Sequence, residues 1–164
     1  MTSPARTAVD QPTTGIDELP AATVIEANYS GREADCPFCT LPSARIKLDS
    51  ALAIAIDDGY PVSKGHSLVI PRRHVVDYWG LTEQERNACH KLLVQLRDLI
   101  CASDSAVAGF NIGLNAGRSA GQTVFHCHFH LIPRRDGDVV DPRGGVRNVI
   151  SGKAIYNGIL APYT

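Results

Sequence analysis

Three histidines occupy alternate positions in His126-Cys127-His128-Phe129-His130-Leu131-Ile132. In an extended strand, side chains two apart share a face, so the spacing predicts all three imidazoles on one side with Phe129 and Leu131 on the other. That is a polar site mounted on a sheet whose back lies in the core. Two chemistries suit such a group: three neutral imidazoles bind a catalytic metal, or one is a nucleophile while its neighbours hold the substrate. The flanking residues favour the second. Gly121, Gln122 and Thr123 stand immediately before the histidines, Gly113 and Gly117 permit close backbone approach, and Arg118, Arg134 and Arg135 add the donors and charge that a phosphate needs.

The other reactive spacing is Cys36-Pro37-Phe38-Cys39. In a reducing compartment this pair points to metal or redox chemistry rather than to a structural disulfide. Cys89, Cys101 and Cys127 read as small core residues. His90 falls in an amphipathic helical pattern and reads as a surface residue. Tyr60, Tyr78 and Trp79 read as packing groups, and Lys64, Asp136, Asp138 and Asp141 as solvated charges.

Strands and one helix must position these groups. Ile46, Leu48, Leu52, Ile54 and Ile56 are apolar mostly at alternate positions, which predicts one or two strands over Arg45–Asp57 with a turn at Asp49-Ser50. Ser67–Arg72 reads as another strand, ended by Pro71. Thr82-Glu83-Gln84-Glu85 has the form of a capping box, and Ala88, Leu92, Leu93, Leu96, Leu99 and Ile100 form a helical stripe reaching about Ala102. Gly109–Asn115 and Val124–Pro133 alternate as strands joined by a turn-rich segment, which predicts an antiparallel hairpin. Beyond Asp136 the Gly and Pro content predicts an irregular tail with a short extended piece at Val146–Ile150. The fold class is α+β, in one domain over residues 31–138, with a flexible arm at 1–30 and a tail at 139–164.

With 164 residues and 44% apolar content, one real core is possible. A net charge of -1 offers no global basic field for a nucleic acid, so the expected partner is small. No run approaches the roughly 18 apolar residues of a membrane span, and Met1–Pro20 lacks the apolar centre of a secretory signal. No membrane association and a cytoplasmic address are the expectation.

The sequence resembles the histidine triad (HIT) family, whose signature alternates three histidines with apolar residues. The likeness runs from Ala55 to Arg135 and includes Pro61-Val62-Ser63-Lys64-Gly65-His66-Ser67-Leu68-Val69-Ile70-Pro71 and Gly121-Gln122-Thr123. It implies an antiparallel sheet of about five strands flanked by helices and continued across a homodimer. It implies a nucleotide substrate, purine favoured, with His128 as covalent nucleophile, His130 and His126 as supporting catalytic groups, and no catalytic cofactor. His130 is implied to donate to the α-phosphate or the bridging atom. Gln122 and Thr123 are implied to bind phosphate oxygens or the leaving group, Asn115 a phosphate, Asp58 the ribose hydroxyls, and His66 to lie beneath the catalytic histidine.

Histidine at the third triad position, His130, implies hydrolysis of a nucleoside phosphoramidate or dinucleoside polyphosphate, with Pro133–Asp138 closer to the second branch. The alternatives are a nucleotidyl transferase or phosphorylase, and a nucleotide-binding interaction protein without catalysis. For the cysteine pair the resemblance implies a structural Zn2+ bound by Cys36, Cys39, His74 and His126; a reduced unmetallated pair and a redox pair are the competing readings.

Overall fold

The computed structural model describes residues 31–154, so the expected arm over 1–30 lies outside the described residues. Five strands form one sheet: β1 (Ile46–Asp49), β2 (Ala53–Asp57), β3 (Ser67–Pro71), β4 (Val107–Gly113) and β5 (Phe129–Arg135). Their order is β1-β2-β3-β5-β4, and every neighbouring pair is antiparallel. Among the described residues one α-helix, α1 (Glu83–Ser103), flanks the sheet; the other helical pieces are short 3-10 turns. It does not have the length and apolarity to cross a membrane, and neither does any other described helix.

Helix α1 starts where the capping box predicts. The Thr82 hydroxyl accepts from the Glu85 amide at 3.2 Å, and the Glu85 carboxylate accepts from the Thr82 amide at 2.8 Å. Its stripe of Cys89, Leu92, Leu93, Leu96 and Ile100 packs on Ala53, Ala55, Val69 and Leu131. The alanines keep that sheet surface shallow, so the helix lies close. The opposite face of β2 and β3 presents Ile54, Ile56, Leu68 and Ile70, covered by Phe38, Leu41 and Ile46. Burial on both faces is why Ala53–Ile56 and Leu68–Ile70 are continuously apolar rather than alternating. Beside them, the open face of β5 and β4 carries His130, Ile132 and Arg134 opposite Gly113 and Asn111.

Two expectations are corrected here. The final strand begins at Phe129 rather than Val124, so only one of the three histidines is on it. The register that pairs Ser67 with Leu131 and Val69 with Phe129 would set Pro71 against Cys127. Proline has no amide hydrogen to extend the ladder. Instead the Cys127 amide donates to the Val75 carbonyl at 2.7 Å, fastening residues 126–128 to the segment that bears His74. Near the other end, Val146–Ile150 is not extended: Gly145–Val149 is a 3-10 turn entered through Gly144, whose φ is 76°.

Candidate functional site

The 126–128 segment enters β5 with each of its two imidazoles fixed by the backbone. His128 Nδ1 lies 2.7 Å from the His126 carbonyl oxygen, which only accepts, so Nδ1 carries the ring proton. The lone pair is then on Nε2. That nitrogen makes no hydrogen bond to the described residues, and the residue is 8% exposed. A neutral imidazole nitrogen with its lone pair accessible is a nucleophile at neutral pH.

The His130 ring lies 5.2 Å from that of His128 and 5.2 Å from that of His66. The β2–β3 turn brings His66 in, and Gly65 makes that turn possible: its φ is 87°, and a Cβ there would sit 3.3 Å from Pro133. The Val62 amide donates to His66 Nδ1 at 3.3 Å, which leaves the His66 proton on Nε2. His66 Nε2 faces His130 Nδ1 at 3.0 Å and Asp58 Oδ2 at 3.3 Å. Accepting on Nδ1, His130 keeps its own proton on Nε2. The chain Val62 amide, His66, His130 thus ends in a donor on the ring that neighbours His128. Asp58 is itself oriented by the Tyr60 amide, which donates to Oδ1 at 2.8 Å.

Burial pushes His130 below the ordinary imidazole value, and the neighbouring His128 and His66 lower it further against the opposing charge of Asp58. His66 is lowered by burial, again against Asp58. Both rings are therefore neutral at pH 7. Asp58, His66 and His130 also lie close enough to resemble a cation site. The Val62 amide opposes that: with Nδ1 accepting, a cation on His66 Nε2 would strip the ring of both protons.

His126 points elsewhere, which corrects the expectation of three imidazoles on one catalytic face. Its Nε2 donates to the Pro71 carbonyl at 2.9 Å, and its Nδ1 lies 3.4 Å from Cys36 Sγ and 3.6 Å from Cys39 Sγ. Cys39 Sγ is 3.3 Å from His74 Nδ1. With both nitrogens engaged, the His126 ring is not free to meet a substrate; what it lends the site is its carbonyl. The triad histidines do not converge as ligands of one metal, whereas Cys36, Cys39, His74 and His126 do, their ligand atoms all within 4.8 Å of one another.

The donor set fits zinc. Tetrahedral Zn–S and Zn–N bonds of about 2.3 and 2.0–2.1 Å set neighbouring S and N atoms roughly 3.6 Å apart, close to the separations here. Both imidazoles turn Nδ1 inward and have Nε2 at an outer acceptor, the Pro71 carbonyl for His126 and the Glu33 carboxylate at 3.4 Å for His74. Burial pushes His126 down to about 4, which keeps it in the neutral, ligating form, and raises the Cys39 thiol against the lowering effect of a Glu33 backbone hydrogen bond and the Arg32 charge.

The remaining candidates divide. Asn115 is half-buried and lines the same cavity as His66 and His130. Thr123 is exposed. Gln122 is buried with its side chain engaged by backbone: Oε1 accepts from the Gly117 amide at 2.8 Å, while Nε2 donates to the carbonyls of Val76 and Val124. It clamps the 117–124 loop against the His74 segment. Nor are the other basic residues a free phosphate edge. Arg134 is paired with Asp138 and bonded to Asn111, Arg135 and Lys64 are paired with Asp104, and Arg118 stacks on Phe125. Sequence reasoning missed Val62 and Pro71, whose backbone groups set the tautomers of His66 and His126; no side-chain pattern announces them.

An antiparallel five-stranded sheet with one histidine just before β5 and another on its second residue is the architecture of a histidine-triad protein. A HIT domain family model matches residues 42–137, and the chain belongs to that family. A 16.1 kDa HIT-like protein of Mycoplasma pneumoniae is 36% identical over 104 residues, 61% of this chain and 72% of that protein. The adenylylsulfatase HINT3 of Arabidopsis thaliana is 36% identical over 112 residues, 63% of this chain and 54% of that protein. Among solved structures, a Zn-bound histidine triad family protein from Mycobacterium smegmatis aligns with a TM-score of 0.59 at 34% identity, covering 65% of this chain and 80% of that one.

Proposed function

We propose that this HIT protein is a nucleotide hydrolase that cleaves at the α-phosphate of a nucleoside phosphoramidate or dinucleoside polyphosphate through a nucleotidyl-His128 intermediate. The observation that carries this reading is the His128 tautomer, whose lone pair the His126 carbonyl leaves on Nε2, with the His130 ring 5.2 Å away. His128 Nε2 forms the N–P bond as the bond from phosphorus to the leaving atom breaks, its electron pair departing with the leaving group. The ring becomes cationic and keeps its Nδ1–H on the carbonyl, which stabilises that charge. Water then attacks phosphorus, the N–P bond breaks, a proton passes to solvent, and the nucleoside monophosphate leaves with neutral His128 restored.

His130 acts as a hydrogen-bond donor to the leaving atom or α-phosphate oxygen. Because burial holds it neutral, it supplies a hydrogen bond rather than a full proton, which suits phosphoanhydrides over amines that must be protonated to depart. The plant relative is named an adenylylsulfatase, and a substrate bearing an adenylyl group is in keeping with the reading proposed for this chain. Asp58 holds the ribose, Asn115 and Thr123 meet phosphate oxygens, and Gln122 acts by shaping their loop. Cys36, Cys39, His74 and His126 hold a structural zinc, which would tie the N-terminal knuckle to the segment entering β5. The paired chain is a homodimer extended across the free edge of β4.

The test is turnover of adenosine and guanosine phosphoramidates and dinucleoside polyphosphates by the wild type and by His128→Ala. Release of nucleoside monophosphate by the wild type, lost in the variant with binding retained, supports the reading. Binding without turnover leaves a nucleotide-binding module.

A further inference from the structure

On the open face of β4 and β5, beside His130, lies a cavity of about 600 Å3. Small-molecule sites span roughly 300–1,000 Å3. Ile132 and its β4 neighbour Asn111 form its floor, and Val140 and Val149 of the C-terminal segment form its wall. His66, His130 and Asn115 close one end, but neither His128 nor Asp58 lines it. The valines are unusually bare for apolar residues, Val140 fully exposed and Val149 77% exposed. They meet water unless something covers them.

The direction of the chemistry says which half of a substrate would do so. In phosphoryl transfer the attacking and leaving atoms stand roughly in line on opposite sides of phosphorus. His128 marks the attacking side, and the His130 donor marks the departing one. A cavity that reaches His130 without His128, and that omits Asp58, therefore belongs to the departing group rather than to the retained nucleoside.

Its charge says what kind of group. Arg134 is the cavity's cation, and its guanidinium is matched by both Asp138 carboxylate oxygens at 2.8 and 2.7 Å and by Asn111 at 2.6 Å. Asp141 is likewise paired with Arg143 at 2.7 Å. No uncompensated cation remains among the described lining residues to hold a phosphate chain. The walls suit an uncharged, flat, largely apolar group, and the amides of Asn111 and Asn148 can meet its polar edge.

We propose that this cavity is a leaving-group subsite for a nucleobase carried on the departing side of the scissile bond, with Val140 and Val149 selecting for it; the assignment rests on the hydrolase reading above. The test compares the full-length protein acting on diadenosine triphosphate and on the γ-methyl ester of ATP, which share charge and adenylyl half but differ in the departing end. The wild type should prefer the dinucleotide by about tenfold in kcat/KM, and Val140→Asn/Val149→Asn should bring that ratio towards unity. Both positions are exposed, so the variant folds, and Val149→Leu should keep the preference. An equal rate on the two compounds, or an undiminished preference in the double variant, overturns the proposal. If neither compound turns over, the hydrolase reading fails, and calorimetric binding of the same two compounds decides the subsite. Tighter binding of the dinucleotide that the double variant loses upholds it; equal binding overturns it.

Discussion

By accepting the Nδ1 proton at 2.7 Å, the His126 carbonyl leaves the His128 lone pair on Nε2, the attacking atom of the proposed mechanism. His128→Ala should therefore lower kcat by about four orders of magnitude or more while nucleotide affinity, measured by calorimetry, changes little. His130→Ala removes one donor and should cost about 2.7–4 kcal/mol in the barrier, by analogy with deletion of an oxyanion-site donor, read as a fall in kcat. Equal losses from the two substitutions would contradict their separate roles. Alternation in the sequence located His128 and His130, and residue type gave Cys36 and Cys39. It could not divide the triad between two sites, because the partners that do so, the Val62 amide and the carbonyls of Pro71 and His126, carry no side-chain signature and are placed only by tertiary contacts.

The segment between β3 and α1 carries His74 and is anchored to the helix start by Arg73, which bonds both Glu85 oxygens at 2.8 Å and the Gly80 carbonyl. Burial alone would raise the Glu85 carboxyl, but the Arg73 and Thr82 bonds and the Arg73 charge outweigh it and leave it below the usual carboxylate value. A carboxyl depressed in the fold contributes stability that is present above its unfolded value near 4.5 and is lost as pH falls through its folded value. Glu85→Gln should thus flatten the acid side of the stability curve, followed by urea unfolding between pH 6 and 3; an unchanged slope would place the acid sensitivity elsewhere. Thr82→Ala should cost about 1 kcal/mol at neutral pH in the same assay. The capping box and the α1 stripe were legible because both depend on neighbours within one or two turns. The start of β5 was not, since Pro71, on another strand, removes the amide that would have extended the ladder.

At the scale of the molecule, the cluster of Cys36, Cys39, His74 and His126 joins the N-terminal knuckle, the β3–α1 segment and the entry to β5. Purified protein should hold about one equivalent of zinc per chain by metal analysis, and Cys36→Ser/Cys39→Ser should lose both the zinc and part of the thermal stability. Full zinc content in that variant would refute the ligand set. The residues from 139 onward looked like a loose tail in sequence, yet Gly145–Val149 packs over the sheet beside β4, a placement that needs the finished sheet to be seen. In the proposed mechanism all these parts serve one chemical event, the formation of a bond between His128 and phosphorus. The direct measurement is to quench the wild type during turnover of an α-phosphate-labelled dinucleoside polyphosphate at mildly alkaline pH, where phosphohistidine survives, and to map the label by peptide mass. Label on His128, absent from His128→Ala, is the predicted result. Label on any other residue, or turnover in the variant close to that of the wild type, would contradict it.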